Sequence, residues 1–183
     1  MASYDFTIIV SGIDPAEDRF EDRLFEAGCG DATISVQKGA LVLEFGREAR
    51  NFSQAIFSAI RDVTAAGARI EHIEPDHLVN LSDIAHRAGL SRAAASLYAK
   101  GERGRDFPAP VARVMTDSPL WDWVSVSRWL FRRQRAVERC VVTEAKLVRQ
   151  INRVIRNEDA HELMTVAKKL AEIKTSAGSR ATA

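Results

Sequence analysis

Apolar and polar positions follow two distinct rhythms along the first part of the chain. Over Tyr4–Ser11, Phe6, Ile8 and Val10 recur at every second residue, the period of a strand with one buried face. Thr33–Val36 and Ala40–Phe45 repeat that alternation around Lys38 and Gly39, a turn pair, and predict a hairpin. Asp14 as a cap and Pro15 at a first helical position predict a helix. Its apolar stripe is Phe20 and Leu24, widened by Phe25 and Ala27, and Gly28-Cys29-Gly30 ends it. Asn51 caps a second helix carrying Ala55, Ile56, Ala59, Ile60 and Val63, Gly67 stops it, and Arg69–Ile73 reads as a last strand.

The order of these elements over residues 4–76 is βαββαβ. It predicts two helices on one face of a four-stranded antiparallel sheet, the ferredoxin-like arrangement. That fold leaves function open between dimerisation, small-molecule sensing and protein binding. Gly12, Gly28 and Gly30 suit either a ligand-binding turn or ordinary turn duty, and turn duty is the reading carried forward. Asp14, Glu17, Asp18, Glu21 and Asp22 circle the outer side of one helix, so a solvated acidic face is expected there rather than a metal site.

Past Pro75-Asp76-His77, a short connector, the rhythm becomes that of short helices. Leu81, Ile84, Ala85 and Ala88 repeat at helical spacing. Gly89 is free to take the positive φ of a tight turn, Leu90 is placed to plug the corner, and Ser91 is an N-cap. The next helix carries Arg92, Ala93, Ala94, Ser96 and Lys100. Small residues allow close approach to a groove, and polar ones suit phosphates or base edges. This is the pattern of a helix-turn-helix, although paired helices around a Gly turn also occur in proteins that never meet DNA.

The segment Gly101–Asp106 is a loop by composition. Pro108 and Pro110 then force an extended entry. Val111, Arg113 and Met115 alternate, Thr116–Pro119 is turn chemistry, and Leu120–Trp123 resumes alternation, so a β-hairpin wing is expected. A helix beginning near Ser125, with Val126, Trp129 and Leu130 on one face, closes the unit.

With these residues in place, the stretch from about 79 to 131 resembles small bacterial winged-helix DNA-binding proteins of the broad MerR/excisionase-type group. The carriers are Ile84-Ala85, Ala88-Gly89-Leu90-Ser91, Gly101 and Gly104, Phe107-Pro108-Ala109-Pro110-Val111, Leu120-Trp121-Asp122-Trp123 and Trp129-Leu130. The resemblance implies a recognition helix in the major groove and a wing beside phosphates or the minor groove. By position, the implied DNA contacts are Ser91, Arg92, Ala93, Ser96 and Lys100, with Arg103, Arg105 and Arg113 in or near the wing. The three consecutive alanines 93–95 depart from a base-reading helix, and shift the expected affinity toward shape and phosphate contacts.

From Ser125 to about Arg156 neither Pro nor Gly occurs, which predicts one long helix. Val137, Val141, Val148, Ile151 and Ile155 mark its stripe, Glu144 fills the remaining position, and Cys140, Leu147 and Val154 widen it. A shorter helix after Asn157-Glu158-Asp159 carries Leu163, Val166, Ala167, Leu170 and Ile173, and Thr175–Ala183 reads as a disordered tail. A helical hairpin pairing with a second copy buries both stripes; folding back on the first domain is the alternative. The run Arg128, Arg132, Arg133, Arg135 and Arg139 fits a phosphate-facing flank or a solvated face equally well.

Charge adds to this picture. Residues 1–78 hold 7 Lys/Arg against 14 Asp/Glu, a net −7, while residues 79–183 hold 19 against 11, a net +8. An acidic first part and a basic second part fit one domain kept off DNA and one drawn to it. Cys29 and Cys140 lie in no metal-ligand spacing and read as buried or idle thiols of a reducing cytoplasm. There is no run of 18 apolar residues and no signal-peptide pattern at the start, so no membrane partner is expected. His72, His77, His86 and His161 are scattered, and no metalloprotease, P-loop or nucleophile-elbow motif occurs.

The expectation is therefore an α+β chain of four parts. They are an acidic ferredoxin-like domain over 1–76, a winged helix-turn-helix over 77–131, a helical dimerisation region over 132–174 and a tail over 175–183. The expected function is that of a cytoplasmic, sequence-specific regulator, a repressor or excisionase-like factor, binding double-stranded DNA as a homodimer. It would need no cofactor, metal or catalytic residue. The alternatives are an antitoxin-like or adaptor protein whose acidic domain binds a protein partner, and a small-molecule sensor.

Overall fold

The computed structural model describes residues 1–133 and 137–156 of the 183. The expectations for the helix after Asn157, for the tail and for Arg135 lie outside the described residues. The architecture is mixed α+β, and the chain groups into two units. One comprises Met1–Glu74 with residues 150–156, the other Pro75–Arg149.

The first unit is built on strands β1 (Ala2–Ser11), β2 (Ala32–Gln37), β3 (Ala40–Ala49) and β4 (Arg69–Glu74), in antiparallel order β2-β3-β1-β4. Phe6 lies opposite Phe45, Ile8 opposite Leu43 and Val10 opposite Leu41, so the alternating apolar sets meet on one face. The rings of Phe6 and Phe45 stack with centroids 5.3 Å apart. Against this face lies the apolar stripe of α2 (Phe52–Ala65), with Ala55, Ile56, Ala59 and Val63 buried. Asn51 caps α2, its side chain accepting the Gln54 N–H at 3.0 Å.

The first helix departs from expectation. Residues 14–18 form turns, because Asp14 accepts the Ala16 and Glu17 N–H groups through its side chain and carbonyl. Arg19 then sits in the left-handed region (φ 69°), which no helix can run through. Helix α1 is only Phe20–Leu24, and a wider π-helical turn, Phe25–Cys29, follows it. Leu24 is buried, but Phe25 is 71% exposed and does not join the stripe.

Beneath that turn Arg47 is buried, with every guanidinium nitrogen occupied. It makes two bonds of 2.8 Å to Asp31, one of 2.7 Å to Asp62, one to Ser58 and one to the Gly28 carbonyl. Gly28 is needed here. Its φ is +105°, and a Cβ would lie 3.1 Å from the Asp62 carboxylate.

In the second unit a short strand, β5 (Leu78–Val79), pairs with β6 (Trp121–Asp122). Helix α3 (Leu81–Arg87) starts with a reciprocal cap. Asn80 accepts the Ser82 and Asp83 N–H groups, and Asp83 accepts the Asn80 N–H at 2.9 Å. Gly89 (φ 60°) turns the chain, and the Leu90 N–H reaches back to the Ala85 carbonyl. Ser91 caps α4 (Arg92–Ala99) by accepting the Ala94 N–H at 3.1 Å. Ile84, Ala85, Ala88, Ala95, Tyr98, Trp121, Trp123, Trp129 and Leu130 form the core, with Leu90 and Phe107 partly buried against it.

Two further expectations are corrected in this unit. The hairpin over 111–123 shrinks to a single bridge between Ala112 and Leu120, because Arg113 adopts φ 50° and breaks the extended run. Trp121 and Asp122 pair with Leu78 and Val79 instead. The long helix from Ser125 to Arg156 is two helices. Helix α5 (Trp123–Arg132) starts earlier because Asp122 caps it, and α6 spans Arg139–Arg156. Between them Val137 is buried in the core, which a continuous helix need not allow.

Of the expected apolar stripe, Val137, Leu147, Val148, Ile151 and Val154 are buried, Val141 and Ile155 are half-buried and Cys140 is exposed. Val142 and Ala145 join the core of the second unit, while Ile151 and Val154 are buried in the first.

Candidate nucleic-acid interface

Helix α4 divides cleanly by burial. Ala95 and Tyr98 face the core, with Ala94 and Ala99 at the border. At 100° per residue the remaining arc carries Arg92, Ala93, Ser96, Leu97 and Lys100. Arg92, Ala93 and Lys100 are exposed and Ser96 is half-buried. Four of the five α4 residues expected to touch DNA thus share one outward surface. The fifth, Ser91, is exposed but has its hydroxyl engaged as the cap. Arg92 is steadied by α3, its Nε donating to the Ser82 hydroxyl at 3.1 Å.

The exposed loop 101–106 continues from this helix. The N–H groups of Glu102 and Arg103 both close on the Leu97 carbonyl, ending α4 in a tight wrap. An aromatic platform then holds the loop. Trp129 packs edge-on to both Tyr98 and Phe107 at 5.1 Å between centroids. The Trp129 indole N–H donates to the Arg105 carbonyl at 3.1 Å, and the Arg133 guanidinium donates to the same oxygen. Gly104 lies so close to the indole that a Cβ would sit 3.1 Å from its ring carbons, at a φ of +86°.

The guanidinium of Arg103 lies over the Tyr98 ring at 5.5 Å, and Arg133 covers Trp129 at 4.6 Å. Both cations stay at the surface while their charge rests on the core. Arg103 and Arg105 therefore leave the end of α4 on a pinned loop, beside Lys100. Arg113 is placed differently. It sits on the exposed turn beyond the Ala112–Leu120 bridge, its carbonyl accepting the Thr116 N–H and hydroxyl. That turn also presents Val114 and a Met115 that is 98% exposed, and Val111 is exposed just before the bridge.

Several participants escaped sequence reasoning. Asn80 precedes the apolar repeat and Ser82 is a polar position within it, so neither carried a periodic signal. Leu97, 36% exposed on the outward arc, looks in sequence like one more core position. Arg133 was legible only as part of a charge run, yet it holds the loop.

Other chemistry is sparse. Burial pushes the Cys29 thiol up to about 11, and burial with a hydrogen bond to Glu138 also raises Cys140. Neither is poised as a thiolate. Among the described residues no group of three His, Cys, Asp or Glu is arranged to hold a metal ion, and no helix is long and apolar enough to cross a membrane. The exposed acidic residues near α1 are partly engaged, Glu17 with Arg23 and Asp22 with Arg19.

No protein-family model, curated protein or solved structure matches this chain.

Proposed function

We propose that the protein binds double-stranded DNA through its second unit, as a sequence-specific transcription regulator with the layout of a winged helix-turn-helix. One observation carries the reading. The only strongly exposed arc of α4 is the one bearing Arg92, Ala93, Ser96 and Lys100, and the pinned loop adds Arg103 and Arg105 at its end. In this reading α4 lies in the major groove, α3 backs it, and the turn bearing Arg113 serves as a short, irregular wing. The first unit, with its β2-β3-β1-β4 order, is read as a ferredoxin-like domain that carries the acidic half of the charge.

The resemblance to the MerR/excisionase-type group supports the same assignment, as does the net +8 of residues 79–183. Repression of a promoter and an excisionase-like architectural role both fit. A homodimer on an inverted repeat is part of the proposal.

The test is selection of bound genomic fragments by the full chain at about 150 mM salt. An enriched sequence, bound with log K falling by about 0.9 per phosphate neutralised, supports the reading. No retained duplex at any salt overturns it. Sedimentation of the protein on the enriched site reports the number of copies.

A second reading is favoured by one specific observation, the exposed acidic residues Asp14, Asp18, Glu21 and Glu26 on the first unit. There the first unit binds a basic protein partner, in the manner of an antitoxin or adaptor. Neutralising Asp18, Glu21 and Glu26 separates the two. It leaves DNA affinity unchanged or raised in the first reading and abolishes partner capture in the second.

A further inference from the structure

Resting on the DNA-binding reading above, we infer that the outward arc of α4 reads sequence through thymine 5-methyl groups, with Ala93 and Leu97 as the contacting side chains. The polar inventory of that arc is short. It contains no Asn or Gln to bracket an adenine and no Asp or Glu to accept from a cytosine amine. Arg92 has already committed its Nε to Ser82, and Lys100 stands at the very end of the helix. What the arc offers at its centre is apolar: Ala93 exposed, and Leu97 one turn further on the same row.

Leu97 is the one large hydrophobic residue of α3 and α4 that is exposed. A lone exposed leucine is ordinary at a protein surface. This one is framed by Arg92 and Lys100 on the same arc and by Arg103 and Arg105 on the adjoining loop. A cationic frame around an apolar centre fits a polyanion that itself presents methyl groups. In duplex DNA the thymine C5-methyl is that group in the major groove, and small apolar side chains are its usual contacts. Ala93 and Leu97 are four residues apart, about 6 Å along the helix axis. Stacked bases are about 3.4 Å apart, so the two side chains match thymines about two steps apart.

The experiment uses the full chain and the sequence it enriches from genomic fragments. Each thymine of that site is replaced in turn by deoxyuridine, which removes the methyl and keeps every hydrogen-bonding group. Two positions about two steps apart are expected to lose affinity by about fourfold each, the worth of one buried methyl. Leu97→Ala is expected to bind the thymine site more weakly and to be insensitive to deoxyuridine at one of those positions. If Leu97→Ala fails to fold, the deoxyuridine series on the natural chain decides alone. A selected site that tolerates every deoxyuridine, or has no thymine at all, overturns the inference and leaves the DNA-binding reading standing. Binding with no sequence preference overturns it likewise, while no binding to any duplex removes both.

Discussion

The carboxamide of Asn152 holds both backbone groups of Ile73. Its Oδ1 accepts the Ile73 N–H at 2.8 Å and its Nδ2 donates to the Ile73 carbonyl at 2.7 Å. β4 is the last strand of its sheet, so these groups point off an edge that would otherwise be open. The side chain reproduces the pairing of one residue of a fifth strand, and it is fully buried. The end of α6 is thereby part of the first unit.

Asn152→Ala should destabilise the protein by about 2–6 kcal/mol, because two buried backbone groups lose their partner at about 1–3 kcal/mol each. Urea unfolding measures this. Asn152→Asp should not rescue, since a carboxylate oxygen would face the Ile73 carbonyl. A loss below about 0.5 kcal/mol for either variant would show that the edge does not depend on this contact.

Arg47→Ala should cost about 3–5 kcal/mol, because it removes the buried cation that Asp31 and Asp62 share and leaves buried Asp62 held by the exposed Arg61. The same cluster sets an acid limb. The hydrogen bonds from Arg47 hold the Asp31 carboxyl below its usual range. A depressed folded pKa means stability that is present above the unfolded value, about 3.9, and lost as pH falls through the lower folded value. Melting temperature should therefore drop below about pH 4, and Asp31→Asn should flatten that drop while lowering stability at neutral pH. An unchanged acid limb in Asp31→Asn would count against the assignment.

Glu144 behaves with the opposite sign. Burial on α6 pushes its carboxyl up. The fold then favours the protonated form, so stability is greatest below the unfolded pKa and declines as pH rises through the raised folded value. Glu144→Gln should raise the melting temperature at pH 7 and lose that advantage near pH 4. Thermal melts of the two proteins across pH 3.5–8 check it, and equal melting temperatures at pH 7 would refute it.

Gly104→Ala combines a positive φ with a Cβ set against the Trp129 indole. It should cost about 1–2 kcal/mol from backbone conformation alone. Tryptophan emission should shift as well, because the loop carbonyl of Arg105 can no longer sit on the indole N–H. A variant with unaltered stability and emission would mean the loop is not pinned there.

Replacing Arg92 and Lys100 together by Ala should weaken binding to the enriched DNA site and lower the salt slope by about two. Titrations at several salt concentrations measure both quantities. An unchanged slope would remove α4 from the interface.

The local chemistry of this chain was legible from its residues. Alternation placed β1, β2 and β3 because a half-buried strand must repeat every two residues, and Asn51, Gly89 and Ser91 announced caps and a turn that depend on neighbours alone. The outward set of α4 was legible for the same reason, since one turn of helix determines which side chains share an arc. Four features depended on distant packing. Leu120–Trp123 alternates as if for a hairpin, but Trp121 pairs with Val79 and its indole N–H donates to Pro108. No breaker separates α5 from α6, and Val137 nevertheless turns into the core. Leu97 sits in an apolar rhythm yet faces outward, because Tyr98 and Ala95 take the inner positions. Asn152 interrupts an apolar stripe as any polar residue would, and only the fold brings β4 within its reach. Short-range rules settle what a residue and its neighbours can form; partners 40 or 80 positions away are chosen by which surfaces the folded chain leaves to be covered.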